Sequence, residues 1–133
     1  MQAIKTGVIL LALAAAYAQG PGLQGRIMGR EGPRNARRWT FEIRNGGPKA
    51  VSGVTLAGIQ FAQTGTIGGA PCTPAVKSSL PVKVGTLAAG GSALASVTVD
   101  FSGCSNTAKF NVQVNLAGSG GASGTIQRGN EYR

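Results

Sequence analysis

Apolar and polar residues alternate along much of the chain, and residues 38–45 show the pattern most clearly. In that segment Trp39, Phe41 and Ile43 fall on one face of an extended chain, and polar residues fall on the other. A repeat of two with one apolar face indicates a β-strand with one side buried. The Asn-Gly-Gly-Pro sequence that follows predicts a turn.

The next predicted strand, residues 51–63, contains a break in this alternation. Ile59 follows Leu56 after three positions, so the pair Val54 and Leu56 is out of phase with the pair Ile59 and Phe61. A β-bulge at the intervening Ala-Gly pair would turn all four side chains to the same face. We therefore expect one long strand with a bulge at its centre.

The remaining strands are shorter and are separated by glycine-rich turns. They are predicted at residues 80–87, 93–101, 110–116 and 122–128, with a weaker first strand near residues 23–28. Pro81 favours an edge position or a strand start. About seven short strands without helical periodicity indicate an all-β fold, namely an antiparallel immunoglobulin-like β-sandwich. A small closed barrel is the alternative.

The N-terminal segment has the pattern of a cleavable signal peptide, predicted for residues 1–18. Lys5 precedes an apolar run at residues 7–16, and small residues stand at the two positions that signal peptidase recognises, with cleavage after Ala18. The run is short for a membrane span, which needs roughly 20 residues. We expect a secreted protein, extracellular or periplasmic and not membrane-spanning. Its parts would be an N-terminal segment with a candidate first strand (19–36) and a sandwich domain (37–133).

The two cysteines, Cys72 and Cys104, predict one disulfide in an exported protein. Closing that loop would contribute about 3.5–4 kcal/mol on the chain-entropy model. Two free thiols are the alternative. A closed zinc site usually takes four Cys or His ligands, and the chain has no histidine. We therefore expect no metal and no cofactor.

The charge is strongly positive, with 13 Lys and Arg against 4 Asp and Glu, or +9 formally. Loss of Lys5 with the signal peptide would leave about +8. If successive strands run antiparallel, both cysteines fall at one end of the sandwich, together with a cluster of cations that we call the basic pole. Its members are Arg30, Arg34, Arg37, Arg38, Lys77, Lys109, Arg128 and Arg133. Three acidic side chains and the terminal carboxylate lie among them.

The simplest role for these cations is solvation of a small exported domain. The alternative is attraction to a polyanion such as anionic polysaccharide, lipid head groups or extracellular DNA. The candidate polyanion-binding residues are Arg30, Arg34, Arg37, Arg38 and Arg128. Sequence-specific nucleic-acid recognition is not expected, because Trp39 belongs to the inward row and no exposed aromatic residues alternate with the arginines.

Two segments resemble a known family. WTFEIRNGGPKAVSGVTLAGI, followed by LPVKVGTLAAGGSALASVTVDF, is similar to bacterial immunoglobulin-like modules of the cell-adhesion-related (CARDB-like) kind, over residues 39–101. The resemblance implies a non-catalytic part of a secreted or surface protein and carries over no catalytic residue. Antibody-type domains join their second and sixth strands by a disulfide, whereas Cys72 and Cys104 fall in predicted loops, so no antibody-like homology is implied.

Catalytic chemistry finds little support in the sequence. There is no histidine, the four acidic residues are widely separated, and no G-x-S-x-G, P-loop or dinucleotide-binding motif is present. We therefore expect a non-enzymatic structural or adhesion module that contacts a protein or polysaccharide surface. Polyanion binding through the basic pole is one alternative. Self-assembly into an extracellular fibre, by exchange of residues 19–34 into a neighbouring sheet, is another.

Overall fold

The computed structural model describes residues 22–65 and 70–133, and the predicted signal peptide lies outside these ranges. The described chain forms strands and two single-turn 3-10 helices, with no α-helix. In chain order the elements are β1 (Leu23–Glu31), the first 3-10 helix (Arg34–Ala36), β2 (Arg37–Asn45), β3 (Val51–Gly65), β4 (Ala75–Val76), β5 (Val82–Leu87), β6 (Ser92–Asp100), β7 (Lys109–Ala117), the second 3-10 helix (Ser119–Gly121) and β8 (Ser123–Glu131).

The strands form two antiparallel sheets of four strands each. The first sheet has the order β1-β2-β6-β4 and the second has the order β5-β3-β7-β8. Their inner faces share one hydrophobic core, so the described chain is a two-layer sandwich and not a single closed barrel. The all-β, antiparallel part of the prediction is confirmed. None of the described residues forms a helix long and apolar enough to cross a bilayer.

The predicted alternation places side chains correctly. Trp39, Phe41 and Ile43 are fully buried, and the inward positions from Ala95 to Val99 in β6 and from Phe110 to Leu116 in β7 are buried as well. The register of β3 with β7 shifts between Leu56 and Gly58, which confirms the bulge. As a result Ile59 joins the buried face, and Phe61 packs partly buried against the core.

One strand was not predicted, and several strand boundaries differ from the prediction, among them the end of β8 at Glu131. β4 is an eighth strand of two residues, between the predicted strands at residues 51–63 and 80–87, and it pairs with the end of β6. β5 begins at Val82, after Pro81, because proline has no N–H group to donate to the sheet. β1 extends to Glu31, beyond its predicted end near residue 28, because it pairs with β2 along almost its whole length.

An aromatic cluster fills the core beneath one end of the sandwich. The ring of Trp39 lies 5.2 Å from that of Phe61 and 6.1 Å from that of Phe101, measured between ring centres. Phe110 contacts both phenylalanines at 6.0 and 5.8 Å. Because these rings come from both sheets, they fix the two layers to each other at this end.

At the opposite end, a buried asparagine joins the sheets by hydrogen bonds. The side-chain amide of Asn45 donates to the carbonyl oxygens of Lys49 (2.7 Å) and Leu87 (3.0 Å), and its oxygen accepts from the N–H of Gly47 (3.0 Å). Asn45 ends β2, whereas Leu87 ends β5 in the other sheet. The side chain is fully buried and well bonded, so it connects the layers without an unsatisfied polar group.

The edges of the two sheets meet where β1 and β8 lie side by side. A Cβ atom at Gly124 would overlap the carbonyl oxygen of Leu23, and one at Gly25 would overlap the side chain of Ile126. Glycine at these two positions allows the backbones to approach this closely.

Candidate functional site

The basic pole lies at the end of the sandwich above the aromatic cluster, where a disulfide joins two loops. Cys72 and Cys104 are bridged, with their Cα atoms 5.4 Å apart. Both cysteines lie in loops at the same end, as the direction of the strands predicted. The N–H of Cys72 donates to Oε1 of Gln63 (2.7 Å), and that of Cys104 donates to the carbonyl of Phe101 (2.9 Å). The two loops are therefore held to each other and to the sheets.

Arg34 belongs to the 3-10 helix between β1 and β2, and it contacts the disulfide loop. Its guanidinium donates to Oδ1 of Asn106 at 2.5 Å, and its carbonyl accepts from the N–H of Phe101 at 2.8 Å. No carboxylate within the described residues forms an ion pair with Arg34. These hydrogen bonds hold the backbone and the guanidinium of Arg34 in place, while no carboxylate of the described residues compensates its positive charge.

Arg37 begins β2 and is likewise bonded to a neutral partner. Its guanidinium donates to the carbonyl of Gly32 at 2.7 Å. Its Nε atom is buried and has no hydrogen-bond partner among the described residues. Within that part of the chain no carboxylate pairs with it either, so Arg37 retains both charge and unused donors.

Other cations of the basic pole do pair with acids, and all three acidic side chains there are engaged. The contacts join Arg38 to Glu31, Arg30 to Glu131 (2.8 Å), Arg128 to Glu131 (3.9 Å) and Lys77 to Asp100 (3.9 Å). The Arg38–Glu31 pair is exposed on both sides, so its stabilising effect is small. These pairs reduce the local positive field around Arg38 and Arg128 more than around Arg34 and Arg37.

Arg30 is partly buried and contacts the aromatic core. Its guanidinium lies over the ring of Trp39, 5.0 Å from the ring centre. It also donates to a carboxylate oxygen of Glu131 and to the carbonyl of Tyr132, both at 2.8 Å. Arg30 therefore closes the end of the core and ties β1 to the end of β8, which leaves it less free than Arg34 to contact a ligand.

The carboxylate of Asp100 is stabilised by its neighbours. Hydrogen bonds from the Ser102 hydroxyl and the Ser102 N–H, the latter at 2.8 Å, hold the pKa of Asp100 below its usual value, and Lys77 adds a smaller attraction. The side chain is therefore ionised at neutral pH and subtracts from the charge of the basic pole.

Two residues that contact the basic pole had no signal in the sequence. Asn106 anchors Arg34, and Tyr132 is half exposed, with Nζ of Lys109 lying 5.5 Å from its ring centre. Neither belongs to a periodic pattern, because both lie outside the strands. Only the fold brings them to the arginines.

The described residues contain no group of three or more His, Cys, Asp or Glu side chains that could hold a metal ion. Comparisons of the chain with known protein families, with curated proteins and with solved structures found no match.

Proposed function

We propose that the protein is an exported, non-enzymatic β-sandwich that serves as a structural or adhesion module. The observation that carries this proposal is the construction of the basic pole. A disulfide, an aromatic cluster and neutral hydrogen bonds fix its loops, and Arg34 and Arg37 there lack carboxylate partners among the described residues. A rigid end with uncompensated charge suits contact with an extended surface.

The immunoglobulin-like character of the sandwich is part of the same proposal. In immunoglobulin domains, strands A, B, E and D form one sheet, and C, F and G form the other. Here β1, β2, β6 and β4 would take the first set of places, and β3, β7 and β8 would take the second. β5 is an additional strand beside β3. This correspondence, together with the sequence resemblance to CARDB-like modules, supports an adhesion-related role.

Export is proposed from the predicted signal peptide, and the disulfide is compatible with an oxidising compartment. The test is to fuse residues 1–18 to a reporter enzyme and to express the full chain in bacteria. We expect reporter activity in the periplasm or medium and a mature chain that begins at Gln19. Retention of the reporter in the cytoplasm would contradict export.

The second candidate function is polyanion binding, favoured by the uncompensated charges of Arg34 and Arg37. Mature protein should bind immobilised heparin and elute at a salt concentration that reflects its cation contacts. The R34S/R37S variant should elute at clearly lower salt. The K49S/K83S variant removes two cations away from the basic pole, so it controls for net charge alone.

Equal loss of retention in both variants would show that net charge, and not the basic pole, causes binding. Unchanged retention of R34S/R37S would show that these two arginines solvate the protein and do not bind the polyanion. Fibre formation stays a prediction with less support, because β1 occupies the first-strand place in its own sheet and would have to leave it.

A further inference from the structure

The outer face of the second sheet carries a set of uncharged amide side chains that the basic pole does not involve. We call this surface the amide face. Its members are Gln60, Asn111, Gln113, Asn115 and Gln127. Gln60, Gln113 and Gln127 are direct partners across the neighbouring strands β3, β7 and β8, so three glutamines form one row. The amide face is therefore a continuous patch created by the strand register.

A shallow depression lies in this face and has a volume of about 450 Å³. Ala62 and Gly129 are its smallest lining residues, and amide side chains of Gln60, Asn111 and Gln127 stand around them. Arg128 also lines it, with its Nε 3.9 Å from a carboxylate oxygen of Glu131 at the basic pole. The amides thus surround a small open recess in which short side chains leave room for a ligand.

Hydrogen bonds within the amide face orient its side chains. The Gln127 amide donates to Gln113 (3.5 Å), and the Gln113 amide donates to Asn115 (3.2 Å). Asn111 accepts from the N–H of Asn130 (3.3 Å), whereas the Gln60 amide has no partner among the described residues. Each amide offers two donors and one oxygen acceptor, so most of this capacity faces solvent.

The charge of the two outer faces differs. The first sheet carries ion pairs such as Arg26–Glu42 (3.0 Å), whereas the three glutamines of the second sheet form a row without charge. A nucleic acid or another polyanion would require several cations at its contact surface. Arg128 is the one charged residue among those that line the depression, and it pairs with Glu131. A tightly bound protein partner would require aromatic or arginine anchors in a buried centre. A surface made mostly of amides, whose one lining cation pairs with a carboxylate, suits a neutral ligand that both donates and accepts hydrogen bonds.

We propose that the amide face binds a neutral polysaccharide. Sugar hydroxyl groups donate and accept as amides do, and the distance between neighbouring strands, about 4.8 Å, is close to the length of one hexose unit. A sugar lies in the depression over Ala62 and Gly129, with its hydroxyl groups bonded to Gln60 and Gln127. The inference rests on the proposed adhesion function and names the surface that the module contacts.

The affinity of one site is low, because the amide face has no aromatic ring for a sugar to stack on. Hydrogen bonds that replace bonds to water contribute little net free energy each, so we expect a Kd of about 1 mM. Several copies on one polysaccharide would raise the overall affinity without a new contact.

Affinity electrophoresis of the oxidised mature protein provides the test, in native gels that contain dextran, hydroxyethyl cellulose or galactomannan. Migration should be retarded in at least one gel. The Q60A/Q127A variant removes two exposed amides and should weaken association about tenfold, while its heparin retention and thermal unfolding stay unchanged. The R34S/R37S variant should show wild-type retardation in the neutral gels.

Absence of retardation in all three gels would overturn the proposal, and so would equal retardation of the wild type and Q60A/Q127A. If either result is obtained with a protein that is still exported and retained on heparin, polysaccharide binding by the amide face is rejected. The proposed function is not affected by that result. Failure of export would instead reject the proposed function. The two failures are thus distinguishable.

Discussion

The guanidinium of Arg30 lies over the ring of Trp39, 5.0 Å from the ring centre, and the two residues are direct partners in the β1–β2 register. Trp39 is fully buried, and Arg30 covers it at the end of the sandwich while bonding to Glu131. One cation therefore joins the first strand, the core and the last strand.

Replacement of Arg30 by methionine should lower the free energy of unfolding by about 1–3 kcal/mol, because it removes a charge-assisted hydrogen bond to a poorly exposed carboxylate. The aliphatic stem still covers Trp39. The R38M variant is the control, since its ion pair with Glu31 is exposed and is worth at most about 1 kcal/mol. Urea denaturation followed by far-UV circular dichroism measures both. Equal losses of unfolding free energy in R30M and R38M would contradict the stabilising role of the Arg30–Glu131 contact.

Replacement of Asn45 by alanine should destabilise the protein by about 2–4 kcal/mol, because the carbonyl groups of Lys49 and Leu87 lose their donor in a buried site. Asn35 is exposed in the first 3-10 helix, and N35A should stay within about 0.5 kcal/mol of the wild type. Thermal unfolding under identical conditions compares the two. A small effect of N45A would show that the turn, and not the side chain, joins the sheets.

Removal of the disulfide should lower the free energy of unfolding by about 3.5–4 kcal/mol, as expected for a closed loop with a sequence separation of 32 residues. The wild type should therefore lose stability when a reductant is added. The C72A/C104A variant should not respond to it. Mass spectrometry after alkylation without reductant should find no modified cysteine, and two alkylated thiols in the native protein would contradict the bridge.

Stability should fall in acid partly through Asp100. Because its pKa is lowered in the folded state, the folded protein binds a proton at Asp100 less readily than the unfolded chain does. This contribution is present above the ordinary Asp pKa of 3.8 and is lost as the pH falls from there through the lowered folded value. NMR titration of the carboxyl carbon measures that value.

Exchange of Ser102 for alanine should raise the pKa of Asp100 towards its ordinary value, since the hydroxyl is the largest cause of the shift. Ser79 is exposed in the segment before β5, and S79A should leave the titration as in the wild type. An unchanged titration in S102A would assign the shift to the Ser102 N–H and Lys77 instead.

The sequence by itself determined which side chains of the main strands face inward. Burial of alternate side chains is a local rule, so the inward rows and the bulge before Ile59 follow from spacing alone. The direction of successive strands then brought Cys72 and Cys104 to one end and placed the arginines beside them. Both statements need only the order of residues along the chain.

The tertiary structure decided which polar groups meet. Arg30 and Arg34 look alike in sequence, yet Arg30 finds Glu131 at a separation of 101 residues and Arg34 finds Asn106 at 72. Asn45 was predicted as a turn residue, but folding buries it against the end of β5. The row of glutamines on β3, β7 and β8 exists only in the paired register. Such contacts join residues that are distant along the chain, so no local period in the sequence predicts them. Only strand pairing and the packing of the two sheets bring these residues within hydrogen-bond distance.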